Sequence, residues 1–204
     1  MSIQAGHENI LRYWLGAGEL HPSELTKRLK LWFSADPGVD AELESRFGDL
    51  IEAASSDRLL DWKPIPRGRL ALIVLLDQFR RNVFRDCREA FSADNTALAL
   101  CREGTQLGMD HGLSILERAF FYMPLQHAED LVAQAEGVEA FRQLTQESSA
   151  EMRPAIAEFL GSAKQHHEII ARFGRFPHRN AALNRECTPA EAAYLLSERI
   201  PFRK

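Results

Sequence analysis

Three stretches of the 204-residue sequence concentrate side chains capable of chemistry. The first, Asp77-Gln-Phe-Arg-Arg-Asn-Val-Phe-Arg85, follows directly on the apolar run Leu70 to Leu76. On a continuous α-helix, Gln78, Arg81, Asn82 and Arg85 stand at i, i+3, i+4 and i+7 and form one polar stripe, and Asp77 can pair with Arg81 at i, i+4. A stripe on a helix that has just been apolar on all sides is not an ordinary solvated face. Either it lines an internal polar cavity or its members brace neighbouring helices, because charge buried without a partner is costly. The second stretch, Arg172-Phe-Gly-Arg-Phe-Pro-His-Arg-Asn180, contains no acidic residue, and Ala171 to Arg185 carries only the cations Arg172, Arg175, Arg179 and Arg185 besides His178. Gly174 permits a positive φ and Pro177 stiffens the loop. One reading is an anion site; the other is a set of arginines capping the carbonyls at a helix end. The third stretch holds Arg118, Tyr122, Pro124, His127, Glu129 and Asp130. Arg118 and Tyr122 share a helical face, Pro124 perturbs the helix and re-aims His127, and a histidine near carboxylates serves either as a general base or as a structural brace.

The candidate ligand-binding residues are therefore Asp77, Gln78, Arg81, Asn82, Arg85, Arg118, Tyr122, His127, Arg175, His178, Arg179 and Asn180. Phe79-Arg-Arg-Asn82 also echoes Phe176-Pro-His-Arg-Asn180 with one residue inserted. The echo is either coincidence or two Arg–Asn pairs with equivalent tasks. Other chemistries find no support. There is no H-E-x-x-H, and His166 and His167 point about 100° apart on a helix, unsuited to one metal. His166 shares its face with Ile169, Ile170 and Phe173 and reads as a core residue. No P-loop, dinucleotide fingerprint or nucleophile elbow is present, no catalytic residue can be assigned, and nothing calls for a cofactor or a metal.

The elements that must position these residues are helices. Apolar residues recur at helical spacing through Ile10 to Leu15, Glu24 to Phe33, Leu43 to Ala54, Ser92 to Leu107, Ala128 to Ala135, Val138 to Leu144 and Ile156 to Phe173. Gly137 divides two of these segments, and Gly108 and Gly174 sit at helix ends. Asp36-Pro-Gly38 is a turn or an N-cap, and Ser114/Glu117 and Thr188/Glu191 match capping boxes. Leu70 to Leu76 reads as a central buried helix, since no second β-branched run exists to pair with it as a strand. About eight or nine helices with short connections predict antiparallel neighbours in one all-α domain spanning residues 1–204.

Composition narrows the setting. The formal net charge is −4, which argues against a generic nucleic-acid surface. Arginine outnumbers lysine 20 to 5, which is either planar recognition of carboxylate or phosphate, or a genome-wide preference. Cys87, Cys101 and Cys187 are odd in number, widely spaced and without C-x-x-C, as expected in a reducing compartment. With no signal-like N-terminus and no apolar run long enough for a bilayer, a cytoplasmic, membrane-free protein is expected.

Leu75-Leu-Asp-Gln-Phe-Arg-Arg-Asn-Val-Phe-Arg85, Phe121-Tyr-Met-Pro-Leu-Gln-His-Ala-Glu-Asp130 and Arg172-Phe-Gly-Arg-Phe-Pro-His-Arg-Asn180, in this order, resemble the bacterial DUF924 family of unknown function. The resemblance extends over nearly the whole chain, including Trp32-Phe33 and Cys187-Thr-Pro-Ala-Glu191. It implies a tetratricopeptide-like α-α superhelix and no known activity. Two positions depart from the family pattern: Arg80 stands where Pro is typical, and Ala128 where Ser is typical, so no nucleophile is placed there. The resulting expectation is a binding module whose Arg/Asn/His clusters line a concave pocket for an anionic small molecule or an acidic peptide. A hydrolase-type enzyme using His127 or His178 with arginine stabilisers is the first alternative, and purely structural clusters the second. Nothing in the sequence sets the oligomeric state.

Overall fold

The structure is a computed structural model and describes residues 3–18, 22–33 and 35–197. Its central element is the apolar run. Leu70, Ile73, Val74 and Leu75 have no exposed surface at all, so the helix that carries them is enclosed on every side. It begins as α4 (Pro66–Ile73), passes through a π-helical segment at Val74–Phe79 and ends as α5 (Arg80–Val83), if we number helices in chain order. Around it lie α1 (Ile3–Leu15), α2 (Pro22–Phe33), α3 (Pro37–Ser55), α6 (Asp94–Gln106), α7 (Ile115–Phe121), α8 (Met123–His127), α9 (Leu131–Glu147), α10 (Arg153–Phe173) and α11 (Pro189–Leu196). Counting the continuous α4–α5 as one helix and α7–α8, separated only by Tyr122, as another leaves nine helices among the described residues and no strand. The fold is all-α.

The ends of these helices follow local chemistry. Asp36 caps α3 by accepting a bond from Gly38 N–H at 2.8 Å, with Pro37 at the first helical position. Ser114 with Glu117, and Thr188 with Glu191, form complete capping boxes on α7 and α11. Gly174 closes α10 in the left-handed region at φ 69°, its N–H bonding Ile170 O. One expected boundary is corrected: α9 runs unbroken through Gly137. A Cβ at that position would lie 3.2 Å from Leu125 Cβ, so Gly137 lets α9 approach α8 closely instead of ending a helix.

An aromatic chain ties the layers together. Phe79 meets Trp14 at 5.2 Å, and Phe120 meets Trp14, Trp32 and Phe159 at 6.1, 4.7 and 5.9 Å between ring centroids. α9 and α10, joined by residues 148–152, form an antiparallel hairpin, and Phe141 stacks on Phe159 across it. A smaller apolar cluster of Ile169, Ile170 and Phe176 lies at the far end of α10, under the arginine-rich loop. No helix among the described residues is long and apolar enough to cross a membrane.

Candidate functional site

The π-helical segment decides where the first polar stretch points. Its wider turn breaks the 3.6-residue repeat, and α5 ends four residues later, so the single stripe expected over Gln78, Arg81, Asn82 and Arg85 is divided. Arg81 faces Asp77 (3.2 Å) and Asp94 (2.8 Å). Asn82 and Arg85 instead share Asp40 on α3, at 3.0 Å and at 2.8 Å to each carboxylate oxygen. Arg80 takes a third direction, donating to Ser55 Oγ, Ser92 Oγ and twice to Glu89 O. That is bracing of one helix against its neighbours.

Asp77 is the centre of the site. It is completely buried and accepts from Gln78 Nε2 (2.5 Å), Arg81 and His127 Nδ1, which lies 2.8 Å from both carboxylate oxygens. The carboxylate assigns the ring proton to Nδ1 and leaves Nε2 with a lone pair. Among the described residues nothing bonds His127 Nε2, and the side chain keeps 15% exposure. Burial pushes the Asp77 carboxyl up, but His127 and Arg81 outweigh it and hold the group below the usual carboxylate range. Burial pushes the His127 imidazole down against the pull of Asp77. At and above neutral pH the imidazole is uncharged, and Arg81 with the bonds from His127 Nδ1–H and Gln78 keeps the aspartate ionised.

The second stretch reaches the same place. Arg179 donates to the other oxygen of Asp94 at 3.0 Å and to His127 O at 2.8 Å. The guanidinium groups of Arg81 and Arg179 both lie over the ring of Phe91, at 5.3 and 4.7 Å, and Arg179 also stacks on Phe176 at 4.4 Å. Burial and the neighbouring Arg81 push Arg179 down to about 10. Arg81 Nε, Arg179 Nε and His178 Nδ1 are buried with no hydrogen-bond partner among the described residues. His178 is driven to about 3, by burial first and then by Arg179 and Arg81. Burial and His127 also hold His166 well below its ordinary value, and its Nδ1 faces Ser162 O at 2.8 Å.

The loop that carries Arg179 is pinned by a residue outside the candidate set. Glu129 accepts from Phe176 N–H (2.8 Å) and from both ends of Arg185 (2.6 and 2.9 Å), and Arg185 also takes Asn180 Oδ1. Gln134, fully buried on α9, donates to Gln126 O (2.7 Å) and Ala128 O (2.8 Å), on either side of His127. With Arg179 on His127 O, three consecutive carbonyls are fixed by side chains. Replacing Gln134 with leucine leaves two buried carbonyls unmet and is expected to cost about 1–3 kcal/mol in denaturant unfolding. An unchanged midpoint would show that water meets those carbonyls equally well.

The remaining candidates lie elsewhere. Arg118 pairs with Glu147, Tyr122 donates its hydroxyl to Asp110, and burial pushes Tyr122 up to about 12. Arg175 is held bidentately by Glu191 and by Glu186 O, and Asn180 Nδ2 lies 3.3 Å from Cys187 Sγ. In the echoed words, the arginines meet and the asparagines do not. The structure brings together Asp77, Gln78, Arg81, His127, His178 and Arg179. Asp94 and Phe91 complete the cluster without having been expected in it, and Glu129, read in the third stretch beside His127, joins it as the clasp on the Arg179 loop; acidic residues that balance a surplus of buried arginine were the available signal for Asp94. The guanidinium groups are occupied by carboxylates instead of facing an open concavity. An open groove of about 510 Å3 exists, but Arg142, Thr145, Gln146, Arg153 and Leu160 line it, away from the cluster. No group of three or more His, Cys, Asp or Glu among the described residues is placed to hold a metal.

Depressed histidines make stability depend on pH in a defined sense. Between the ordinary 6.5 and about 3, the unfolded chain binds a proton at residue 178 that the folded chain refuses. Stability is therefore complete above about pH 6.5 and falls as pH drops, by about 1.4 kcal/mol per pH unit for each such histidine. His178→Gln should flatten the decline between pH 6.5 and 5 in urea melts. Parallel slopes for the two proteins would contradict it.

The model of a family described as a bacterial protein of unknown function (DUF924) matches residues 10–198. A solved structure from Agrobacterium tumefaciens, described as that of a protein of unknown function, is 34% identical, with a TM-score of 0.80 over 96% of this chain and 99% of that one. No curated protein matches the chain.

Proposed function

Because the chain belongs to the DUF924 family of bacterial proteins of unknown function, no activity carries over from a relative, and we propose from its own residues that it is a binding module for a small molecule bearing an oxyanion, seated between Arg81 and Arg179. The observation that supports this is the convergence of two guanidinium groups, from positions 98 residues apart, on one carboxylate above one aromatic ring. Each arginine braces its own element, Arg81 through Asp77 and Arg179 through His127 O, but two like charges held this close also need an anion between them. They suit planar, bidentate recognition of an anion. One domain over residues 1–204, a cytoplasmic address and a tetratricopeptide-like arrangement fit this reading. The first is supported by the extent of the family match, the last by the α9–α10 hairpin.

The test is a thermal-shift series at pH 7.5 and fixed ionic strength with acetate, succinate, inorganic phosphate and a glutamate-rich peptide against chloride. A small oxyanion should raise Tm in the wild type, and Arg81→Lys, which keeps the charge but loses the fork, should reduce the gain. Equal gains in both proteins, or none, would overturn the proposal, and a gain with the peptide alone would move it to an acidic segment of a protein.

A second reading rests on a separate observation, the open Nε2 of a histidine held by a buried aspartate. That is the arrangement of a general base. No hydroxyl or thiol among the described residues bonds His127, so the nucleophile would be water. A broad hydrolase panel should then show turnover that His127→Asn abolishes, whereas His178, held near 3, is too weak a base to contribute.

A further inference from the structure

Three carboxylates serve the cluster, and they are not equivalent. Asp77 has no exposed surface and receives three side chains. Glu129 is fixed by a backbone N–H and a bidentate arginine. The Asp94 carboxylate retains 15% exposure, against 24% for Glu129, and its only side-chain hydrogen bonds among the described residues are those to Arg81 and Arg179, one to each oxygen. It is the first residue of α6, after Ala93, which provides no side-chain cap. Asp94 is therefore the carboxylate with the fewest bonds to hold it, and it is not sealed in as Asp77 is.

The two arginines do not depend on Asp94 for their positions. Arg81 is anchored from within by Asp77 at 3.2 Å. Arg179 is anchored by His127 O at 2.8 Å and by the ring of Phe176. Phe91 underlies both guanidinium groups. Removal of the Asp94 carboxylate leaves two preorganised donors facing a gap the size of one carboxylate, in a site of low exposure where charge-assisted bonds are strong.

We propose that Asp94 is an internal stand-in for the ligand: its side chain closes the site between Arg81 and Arg179, and a small carboxylate binds by displacing it. This rests on the oxyanion-binding reading and adds to it both the ligand class and a built-in competitor. Displacement trades one carboxylate for another, so the net charge buried in the site is unchanged. The released Asp94 remains in the first turn of α6, where the helix dipole favours a negative side chain. The intrinsic affinity is masked by the fraction of time the site stands open, which sets the concentration at which the wild type responds.

The experiment compares wild type, Asp94→Asn and Asp94→Ala in NMR or calorimetric titrations with formate and acetate at pH 7.5, chloride balancing ionic strength. The asparagine variant keeps the shape of the plug and covers the case in which the alanine variant does not fold. Both variants should bind acetate at least about tenfold more tightly than the wild type, and Arg179→Lys in the Asp94→Asn background should remove the gain. Equal affinity in wild type and Asp94→Asn would overturn the stand-in while leaving oxyanion binding intact. Absence of binding in every variant, with all of them folded, would overturn both.

Discussion

Asp77→Ala should lower unfolding free energy by about 3–5 kcal/mol, as when one partner is removed from a buried ion pair. The loss is not that of a single bond. Asp77 meets Gln78, Arg81 and His127 together, and without it Arg81 keeps only Asp94 as a counter-charge. His127 loses its orientation as well as the acceptor for its Nδ1 proton. Asp77→Asn keeps the volume and one acceptor oxygen, so it should lie between the alanine variant and the wild type. Chemical denaturation at pH 7.5 gives the ranking directly. A cost below about 1 kcal/mol for Asp77→Ala would place the residue among exposed pairs, which its burial contradicts.

The other large effect is expected far from any charge. Phe120 touches Trp14, Trp32 and Phe159, and so joins α7 to α1, α2 and α10. Phe120→Ala removes a ring with no exposed surface and opens a cavity in the aromatic chain, a change that costs about 3–5 kcal/mol. Two tryptophans border the cavity, so the near-ultraviolet circular dichroism should weaken while the helical signal persists. Phe120→Leu fills part of the space and should recover roughly half of the stability. A midpoint for Phe120→Ala equal to that of the wild type would mean that the core collapses around the site without penalty.

These two predictions differ in how far sequence alone reaches them. The buried helix at Leu70 to Leu76 follows from an apolar run with no polar face, and the caps at Asp36, Ser114 and Thr188 from side chains that satisfy N–H groups two or three residues away. Such rules are local. The division of the polar stripe was hidden, because nothing in Val-Leu-Leu-Asp-Gln-Phe, residues 74 to 79, marks a π-helical turn. Gly137 misled for a related reason: the same residue ends one helix and permits close approach in another, and only the position of Leu125 distinguishes the two. At the site, Asp77, Arg81, His127 and Arg179 stood out as concentrated polar groups in apolar surroundings. Asp94 did not, and Glu129 stood beside His127 without its own partners being visible. Asp94 is 85 residues from Arg179, and Glu129 is 47 from Phe176. An acidic residue at a helix start looks the same whether it faces water or a buried guanidinium.

The clasp of Glu129 on the 176–185 segment also has a meaning in time. During synthesis, Asp77 and Arg81 are made well before His127, and His127 well before Arg179. When residue 150 has been made, Asp77, Arg81, Asp94, His127 and Glu129 are all in the chain, but the Arg179 that meets Asp94 and the 176–185 segment that meets Glu129 are not. Contacts at such separations form late, because the loop between them must first be closed. The ribosome therefore delivers the site in two instalments, first Asp77, Arg81, Asp94, His127 and Glu129, and then the basic loop that carries Arg179 and Arg185. A chain stalled between them lacks Arg179 and Arg185, the cations that neutralise Asp94 and Glu129 in the finished protein.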